Sequence, residues 1–177
     1  MSHLEKLIPT LHPDYAERLK NRMQSPCQAL WGILDNVVDP ELPTVTIWNL
    51  GILQNIQWKN EQKNHYRVTI TPTYSGCPAV ETIQADIINA LEKAGYTKVD
   101  VDVVLSPAWS TEMISPVGKK QLQQLRIAPP DPEDEVSCPI CGSNNTQVIS
   151  RFGSTACKAL YQCSDCHEPF DYFKYFD

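Results

Sequence analysis

The C-terminal part of the chain contains two short cysteine motifs, Cys138-Pro-Ile-Cys141 and Cys163-Ser-Asp-Cys166, which 21 residues separate. Two such pairs can place four thiolates around one soft metal ion, and zinc is the commonest occupant of that tetrahedral geometry. Gly142 directly follows the first pair, and glycine is the expected residue at a left-handed turn position. The spacing therefore predicts a four-cysteine metal site within a zinc ribbon formed by residues 137–177.

The same module contains another cysteine and many aromatic side chains. Cys157 lies between the two pairs, where it could replace one ligand, join a cluster or be a plain buried thiol. Of the chain's 4 Phe, 4 Trp and 7 Tyr, the ribbon holds Phe152, Tyr161, Phe170, Tyr172, Phe173, Tyr175 and Phe176. A module this small cannot bury them all without a metal ion to stabilise it. We therefore expect some to form its core and others to dock onto another protein.

The distribution of charge argues against nucleic acid as a partner. The net charge is −6, but residues 1–127 carry nearly equal numbers of basic and acidic side chains. Residues 128–136 carry only acidic ones, and residues 137–177 are again nearly balanced. No basic surface is left to neutralise phosphates.

The cysteines and the N-terminus indicate a reducing compartment. Seven cysteines, four of them in metal-binding pairs, are typical of proteins whose thiols bind metal instead of forming disulfides. Residues 1–8 contain no apolar run long enough for a signal peptide, and no stretch approaches the ~18 apolar residues of a membrane span. We expect a cytoplasmic protein with no membrane partner.

Residues 1–127 are predicted to form a small two-layer α/β sandwich behind a polar leader. Apolar periodicity predicts helices over about 14–22, 25–39, 80–95 and 111–124, the last with a break at Pro116. Strands are predicted within 45–58, in two pieces with a bend at Gly51, and at 66–70 and 99–105. Residues 128–136 combine three prolines with four acids, which predicts a stiff, solvated linker between the two domains.

A second segment that could take part in a reaction or bind a metal is Thr73-Tyr-Ser-Gly-Cys-Pro78, which joins a predicted strand to the long helix. Pro78 suits the first helical position, so Cys77 is expected beside the unpaired N–H groups of the helix N-terminus. That position predicts a lowered thiol pKa and a thiolate able to attack electrophiles or bind soft metals. The structural alternative is a small buried cysteine that caps the helix.

Asp39-Pro-Glu41 places two carboxylates on an extended turn before the first predicted strand. Such a pair can share a proton, or bind a metal together with Cys77 if the fold brings the two loops together. The alternative is a turn whose acids cap the preceding helix or face water.

These segments resemble a known family along most of the chain. The first part of the chain resembles the iron–sulfur-cluster-assembly-associated domain of SufT-like proteins. Five motifs carry this resemblance: Asp39-Pro-Glu-Leu-Pro43, Leu50-Gly51, Thr71-Pro-Thr-Tyr-Ser-Gly-Cys-Pro78, Pro107-Ala-Trp109 and Ile127-Ala-Pro-Pro130. The tail resembles the PaaD family at Cys138-Pro-Ile-Cys-Gly142, Phe152-Gly-Ser-Thr-Ala-Cys-Lys-Ala-Leu-Tyr-Gln-Cys163 and Glu168-Pro-Phe-Asp-Tyr-Phe-Lys174. One departure is Arg126, which stands where the related sequences often have glycine and is expected to affect the turn there.

The resemblance implies an accessory factor of the phenylacetyl-CoA epoxidase system, acting in bacterial aerobic phenylacetate breakdown. The implied partners are the epoxidase components, above all the reductase, whose iron–sulfur cluster the factor would help to assemble. In the related domains the cysteine of the Ser-Gly-Cys-Pro loop is the functional thiol, which here is Cys77. Asp39, Glu41, Ser75 and Gly76 are the implied supporting residues. Zinc is the expected metal of the ribbon, with iron or a transient iron–sulfur cluster as the alternative.

The same residues leave one other function open and argue against two more. An electron-transfer subunit with iron in the four-cysteine site, as in a rubredoxin-like centre, stays open. Direct catalysis is not expected, because no predicted helix carries the carboxylate–histidine spacing of a di-iron site. A cysteine hydrolase is also disfavoured, because no histidine is placed to partner Cys77. The residues leave the oligomeric state open, including a homo-oligomer.

Overall fold

The computed structural model of the protein describes residues 11–133 and 135–177, without the side chain of Lys63. The predicted absence of a signal peptide concerns residues 1–8, which lie outside this range, as does the start of the polar leader. None of the described helices is long and apolar enough to span a membrane. The described chain divides into two compact units, one that ends at Ser115 and one from Pro116 to Asp177.

The first unit contains helices and short strands in mixed order. Its described α-helices are α1 (Pro13–Gln24), α2 (Gln28–Leu34) and α3 (Ala79–Lys93), with short 3-10 helices at Glu61–Lys63 and Thr111–Met113. Its strands are β1 (Val38–Asp39), β2 (Leu42–Thr46), β3 (Leu53–Asn60), β4 (His65–Ile70) and β5 (Val99–Val103). β1 and β2 form an antiparallel pair. β3, β4 and β5 form a second sheet in that order, in which β3 is antiparallel and β5 parallel to β4.

Apolar periodicity explains how α3 and the second sheet pack. Tyr66, Val68 and Ile70 alternate along β4 and are buried, as a strand with one face on a core requires. Ile83, Ile87 and Leu91 recur at helical spacing on α3 and are buried as well. The α3 helix, which packs along β5, supplies the connection between the parallel strands β4 and β5.

Helix α2 is shorter than predicted at both ends. Ser25 does not cap it; the hydroxyl donates to the Ile56 carbonyl at 2.8 Å and accepts from the Cys27 N–H, and the helix begins at Gln28. At the other end the helix stops at Leu34 and does not reach Asp39, because the Val37 carbonyl accepts a hydrogen bond from the Ile47 N–H at 3.0 Å. A strand-like pairing therefore displaces the last predicted turn of the helix.

The helix predicted within the polar leader is an integral part of the first unit. α1 packs against β3, and its Arg18 and Leu19 side chains are buried. The predicted span of 14–22 falls inside the observed helix.

The second unit contains α4 (Pro116–Gln124) and the strands β6 (Ile127–Ala128), β7 (Thr146–Ser150), β8 (Lys158–Cys163) and β9 (Pro169–Phe173). The strands form one sheet in the order β6-β9-β8-β7, with only the β6–β9 pair parallel. Pro116 begins α4 where a break within a longer helix was predicted, as suits a residue without an N–H group. A mixed α/β domain followed by a four-cysteine ribbon sheet confirms the predicted fold class.

Residues 128–136 differ from the solvated linker predicted for them. Ala128 pairs with Tyr172 in the ribbon sheet, and both Ala128 and Val136 belong to the core of the second unit. Glu133 and Glu135 between them are exposed. The acidic composition of the segment obscures Ala128 and Val136 at its ends, which pack into the core of the second unit although Glu133 and Glu135 are exposed.

Candidate functional site

The four cysteines of the two motifs converge at one end of the ribbon. The Sγ atoms of Cys138 and Cys166 are 3.8 Å apart, and those of Cys141 and Cys163 are 3.6 Å apart. All four sulfur atoms lie within 4.8 Å of one another, and among the described residues no other group of metal-ligating side chains converges in this way. Four sulfur donors at this separation can surround a single ion tetrahedrally.

Each cysteine pair sits in the same kind of backbone turn, which we call a knuckle. In the first knuckle the Gly142 N–H donates to the Cys138 carbonyl at 2.9 Å, and in the second the His167 N–H donates to the Cys163 carbonyl at 3.0 Å. The residue after each second cysteine is left-handed, with φ of +78° at Gly142 and +63° at His167. Glycine was the expected residue at this position, and the second knuckle reaches the same geometry with a histidine at some cost in strain.

Backbone N–H groups of the knuckles point at the sulfur atoms and favour their ionised forms. The N–H groups of Cys166 and then Asp165 are the main causes that lower the pKa of Cys163 to about 7, against the effect of burial. The Glu168 N–H donates to Cys166, but burial and the neighbouring thiols raise the pKa of Cys166 to about 12. The Cys163 thiol therefore loses its proton easily, whereas the Cys166 thiol keeps its proton. Four thiolates can coexist here only when a cation balances their charge, which fits a bound divalent metal ion.

Hydrogen bonds to the Asp165 carboxylate connect the two knuckles directly. The Ser143 hydroxyl after the first knuckle donates to one carboxylate oxygen, and the Asn145 side-chain amide donates to the other at 2.9 Å. These bonds lower the pKa of Asp165. They help to hold the two sulfur pairs in position relative to each other.

Cys157 lies apart from the four converging thiols. Its side chain is buried, and the Thr155 hydroxyl oxygen is 3.0 Å from its sulfur. Of the three interpretations of this residue, the buried thiol is the one that this geometry matches.

Cys77 lies where the sequence places it, at the start of the long helix. α3 begins at Ala79 after Pro78, and the Ala79 N–H donates to the Cys77 sulfur. The side chain is half-buried, so the sulfur is neither sealed in the core nor fully open. A thiol in this place remains within reach of another molecule.

The predicted lowering of the Cys77 pKa is wrong. Burial is the largest influence and raises the pKa of this thiol, and the negative charges of Glu41 and Asp39 raise it further. The Ala79 N–H and the Thr73 hydroxyl lower it, but they do not outweigh burial. At neutral pH Cys77 is therefore a protonated thiol. The prediction considered only the helix N-terminus. The burial of the thiol and the nearby charges, which both raise its pKa, cannot be read from the sequence of the loop.

The structure brings the Asp39–Glu41 turn close enough to Cys77 to act on it electrostatically. Asp39 is buried and accepts a hydrogen bond from the Glu41 N–H at 2.9 Å, so it also stabilises its own turn. The two loops therefore lie close together, as the metal-binding interpretation requires, and metal binding by this turn stays a prediction. Thr73 was not singled out from the sequence, and only its position in the same loop could have suggested its contact with Cys77.

Ser75 and Gly76 form the exposed part of the loop before Cys77. A Cβ atom added at Gly76 would have only the Tyr74 ring nearby, at 3.9 Å. The space beside the loop is therefore open, as an approach route to the sulfur requires.

Comparison with known proteins gives matches to both parts of the chain. The family described as "PaaD zinc beta ribbon domain" matches residues 124–174, and the family described as "Iron-sulfur cluster assembly protein" matches residues 27–103. An Escherichia coli (strain K12) protein, named as one of the subunits of 1,2-phenylacetyl-CoA epoxidase, is 43% identical over 152 residues, which cover 82% of this chain and 90% of that protein. The chain belongs to the PaaD family. The four ribbon cysteines lie within the first matched segment, and Asp39, Glu41 and Cys77 lie within the second.

Solved structures are similar to about half of the chain. A domain of unknown function, DUF59, from Bacillus anthracis is 33% identical, with a TM-score of 0.49, and covers 54% of this chain and 89% of its own. The conserved hypothetical protein TM0487 from Thermotoga maritima is 30% identical, with a TM-score of 0.45, and covers 54% of this chain and 92% of its own.

Proposed function

We propose that the protein is an accessory factor that matures a multicomponent phenylacetyl-CoA epoxidase by helping to assemble the iron–sulfur cluster of its reductase component. Membership of the PaaD family and the match to an iron–sulfur cluster assembly family support the class of function. The epoxidase components are the proposed partners, with the reductase as the client. Iron or a nascent cluster is then cargo for this protein and not its resident cofactor.

The observation that carries the proposal is the environment of Cys77. Its thiol is protonated at neutral pH, and the carboxylates of Asp39 and Glu41 oppose a bare thiolate beside them. The same carboxylates favour a bound cation, so an incoming iron ion can displace the thiol proton and gain from both charges. Because the proton competes with the metal for the sulfur, binding is readily reversed. This is the behaviour expected of a site that holds cargo briefly.

The ribbon cysteines are proposed to hold zinc permanently. Zinc has no redox chemistry, and a closed site with four thiolates stabilises a fold without leaving a position for substrate. Cys138 and Cys163 belong to the apolar core of the second unit, so the metal would stabilise that core directly. The exposed Phe152, whose side chain is 71% accessible, is the proposed docking residue for the client.

The decisive experiment replaces Cys77 in cells that make the complete epoxidase system. We expect Cys77→Ser to leave the protein folded but to lower the cluster content of the purified reductase, measured as iron and acid-labile sulfide per chain. Asp86→Asn is the control, because Asp86 is exposed on the α3 helix that follows Cys77, and it should leave the cluster content unchanged. A fully loaded reductase from the Cys77→Ser cells would refute the role of this thiol.

The identity of the bound metal distinguishes an electron-transfer function from a structural zinc site. Protein purified without oxygen should be colourless and contain one zinc ion per chain. A coloured, redox-active protein with iron in the ribbon would instead favour electron transfer.

A further inference from the structure

The outer edge of β7 is an unusually apolar sheet edge. β7 is the last strand of the β6-β9-β8-β7 sheet, so one side of its backbone has no neighbouring strand in the described chain. Its sequence, Thr-Gln-Val-Ile-Ser, contains no charged residue and no proline, which are the usual devices that prevent edge pairing. Val148 and Ile149 are each 52% exposed.

A bulge at Ile149 explains why two consecutive apolar residues are exposed. Val148 pairs with Tyr161 and Ser150 with Leu160, which leaves Ile149 without an opposite residue on β8. Bulges of this kind disturb the strict alternation of side chains between the two faces of a strand. The edge therefore presents backbone groups that no strand of the described residues covers, together with adjacent apolar side chains.

We propose that this edge pairs with the same edge of a second copy of the chain, in an antiparallel two-fold arrangement centred on Val148. In that register Val148 faces Val148 of the second copy, Gln147 faces Ile149, and Asn145 faces Arg151. Antiparallel pairing extends the four-stranded sheet across the two-fold axis and satisfies the outward N–H and C=O groups of both strands.

Charge complementarity at the ends of β7 argues for a second copy as the occupant. Arg151, just beyond one end, is exposed and forms no ion pair within the described residues. At the other end Asn145 donates to Asp165, whose carboxylate is also exposed. The two-fold register brings each Arg151 next to the Asn145–Asp165 pair of the other copy. Because β7 is uncharged and has opposite charges at its two ends, its edge is complementary to the same edge of a second copy in antiparallel orientation.

Analytical ultracentrifugation of the full-length, metal-loaded protein tests the proposal. From micromolar to near-millimolar concentration we expect the mass to rise from that of a monomer to that of a dimer, with weaker association at high salt. Arg151→Glu should weaken the dimer at least about tenfold, because it places like charges together at both ends of the interface. Lys120→Glu changes the net charge by the same amount at an exposed position of α4 and should have no effect on the dimer affinity.

A cross-link defines the register. After mild oxidation, Val148→Cys should give a peptide linked to itself between two chains, because opposite residues at the two-fold axis lie within disulfide distance. Gln147→Cys, which faces residue 149, should not. A protein that stays monomeric throughout the concentration range would overturn the proposal. So would a dimer that keeps its affinity in Arg151→Glu and forms no link at residue 148, since such a dimer must use another surface.

Discussion

The guanidinium group of Arg18 lies over the ring of Trp48, 4.3 Å from its centre. The same group donates to the backbone carbonyls of Trp48 and Leu53, each at 2.8 Å, and to that of Met113. Burial lowers the pKa of Arg18 to about 9, so the side chain remains a cation at neutral pH. Carbonyl dipoles and the face of an aromatic ring balance its charge. One side chain thereby connects α1 to three separate segments of the first unit.

Replacement of Arg18 should destabilise the first unit severely. We expect Arg18→Met to lower the free energy of unfolding by about 3 kcal/mol, because three buried carbonyls lose donors that are each worth about 1 kcal/mol or more. Urea unfolding followed by tryptophan fluorescence measures this unit alone, since all four tryptophans precede residue 116: Trp31, Trp48, Trp58 and Trp109. The exposed Lys20→Met on the same helix is the control, and equal stability of the two variants would contradict this account.

Two glycines of the first unit should respond oppositely to alanine. Gly51 has φ of +88°, and a Cβ atom there would lie 2.8 Å from the Cβ of Met113 and 2.9 Å from the Nε1 of Trp109. We expect Gly51→Ala to cost about 2 kcal/mol or more, from backbone strain and the clash together. Gly32 lies in α2 with no atom near its missing Cβ, so Gly32→Ala should add about 0.5–1 kcal/mol of stability. The same urea titration measures both, and a tolerated Gly51→Ala would mean that the turn can relax.

The reactivity of Cys77 should depend on pH as expected of a thiol whose pKa is raised. The thiolate is the reacting form, so the rate of alkylation by iodoacetamide should be low at neutral pH and should still rise above pH 9. Glu41→Gln removes a negative charge that opposes ionisation, which lowers the pKa and should increase the rate at neutral pH severalfold. Mass spectrometry of the Cys77 peptide isolates this thiol from the other six. The control is Asp86→Asn on the exposed side of α3, and a rate that levels off below pH 8 would disprove the assigned direction.

Loss of the ribbon metal should unfold the second unit without disturbing the first. Cys163→Ala should abolish stoichiometric zinc binding, because three thiolates cannot close the tetrahedral site. Cys157→Ala, which alters a buried thiol outside the four, should retain one zinc ion per chain. We expect chelation of the wild-type metal to raise hydrogen exchange in β8 and β9 while the tryptophan emission stays constant. A simultaneous change in that emission would show that the two units unfold together.

The features that were predicted correctly depend on neighbours along the chain. Each cysteine pair is a local turn, and Pro78 marks the start of α3 whatever packs around it. The alternation in β4 and the helical stripe of Ile83, Ile87 and Leu91 likewise report which side faces a core. The expected effect of Arg126 on its turn also has a counterpart, since this residue adopts a left-handed conformation with φ of +59°. Glycine would adopt that conformation without strain.

The features that were missed depend on groups distant in sequence. α2 loses its last predicted turn to a hydrogen bond from Ile47, and the pKa of Cys77 rises because of burial and the charges of Asp39 and Glu41. Arg18 lies in a polar stretch of the sequence, and its three carbonyl partners all come from segments far along the chain.

The family, the metal-binding motif and the position of the lone thiol can be read from the chain because short-range spacing sets them. Whether that thiol is ionised, and which sheet edge stays unpaired, could be learned only from the folded protein. Burial and electrostatic interactions are sums over everything packed nearby, and most of that surrounding comes from residues far away along the backbone.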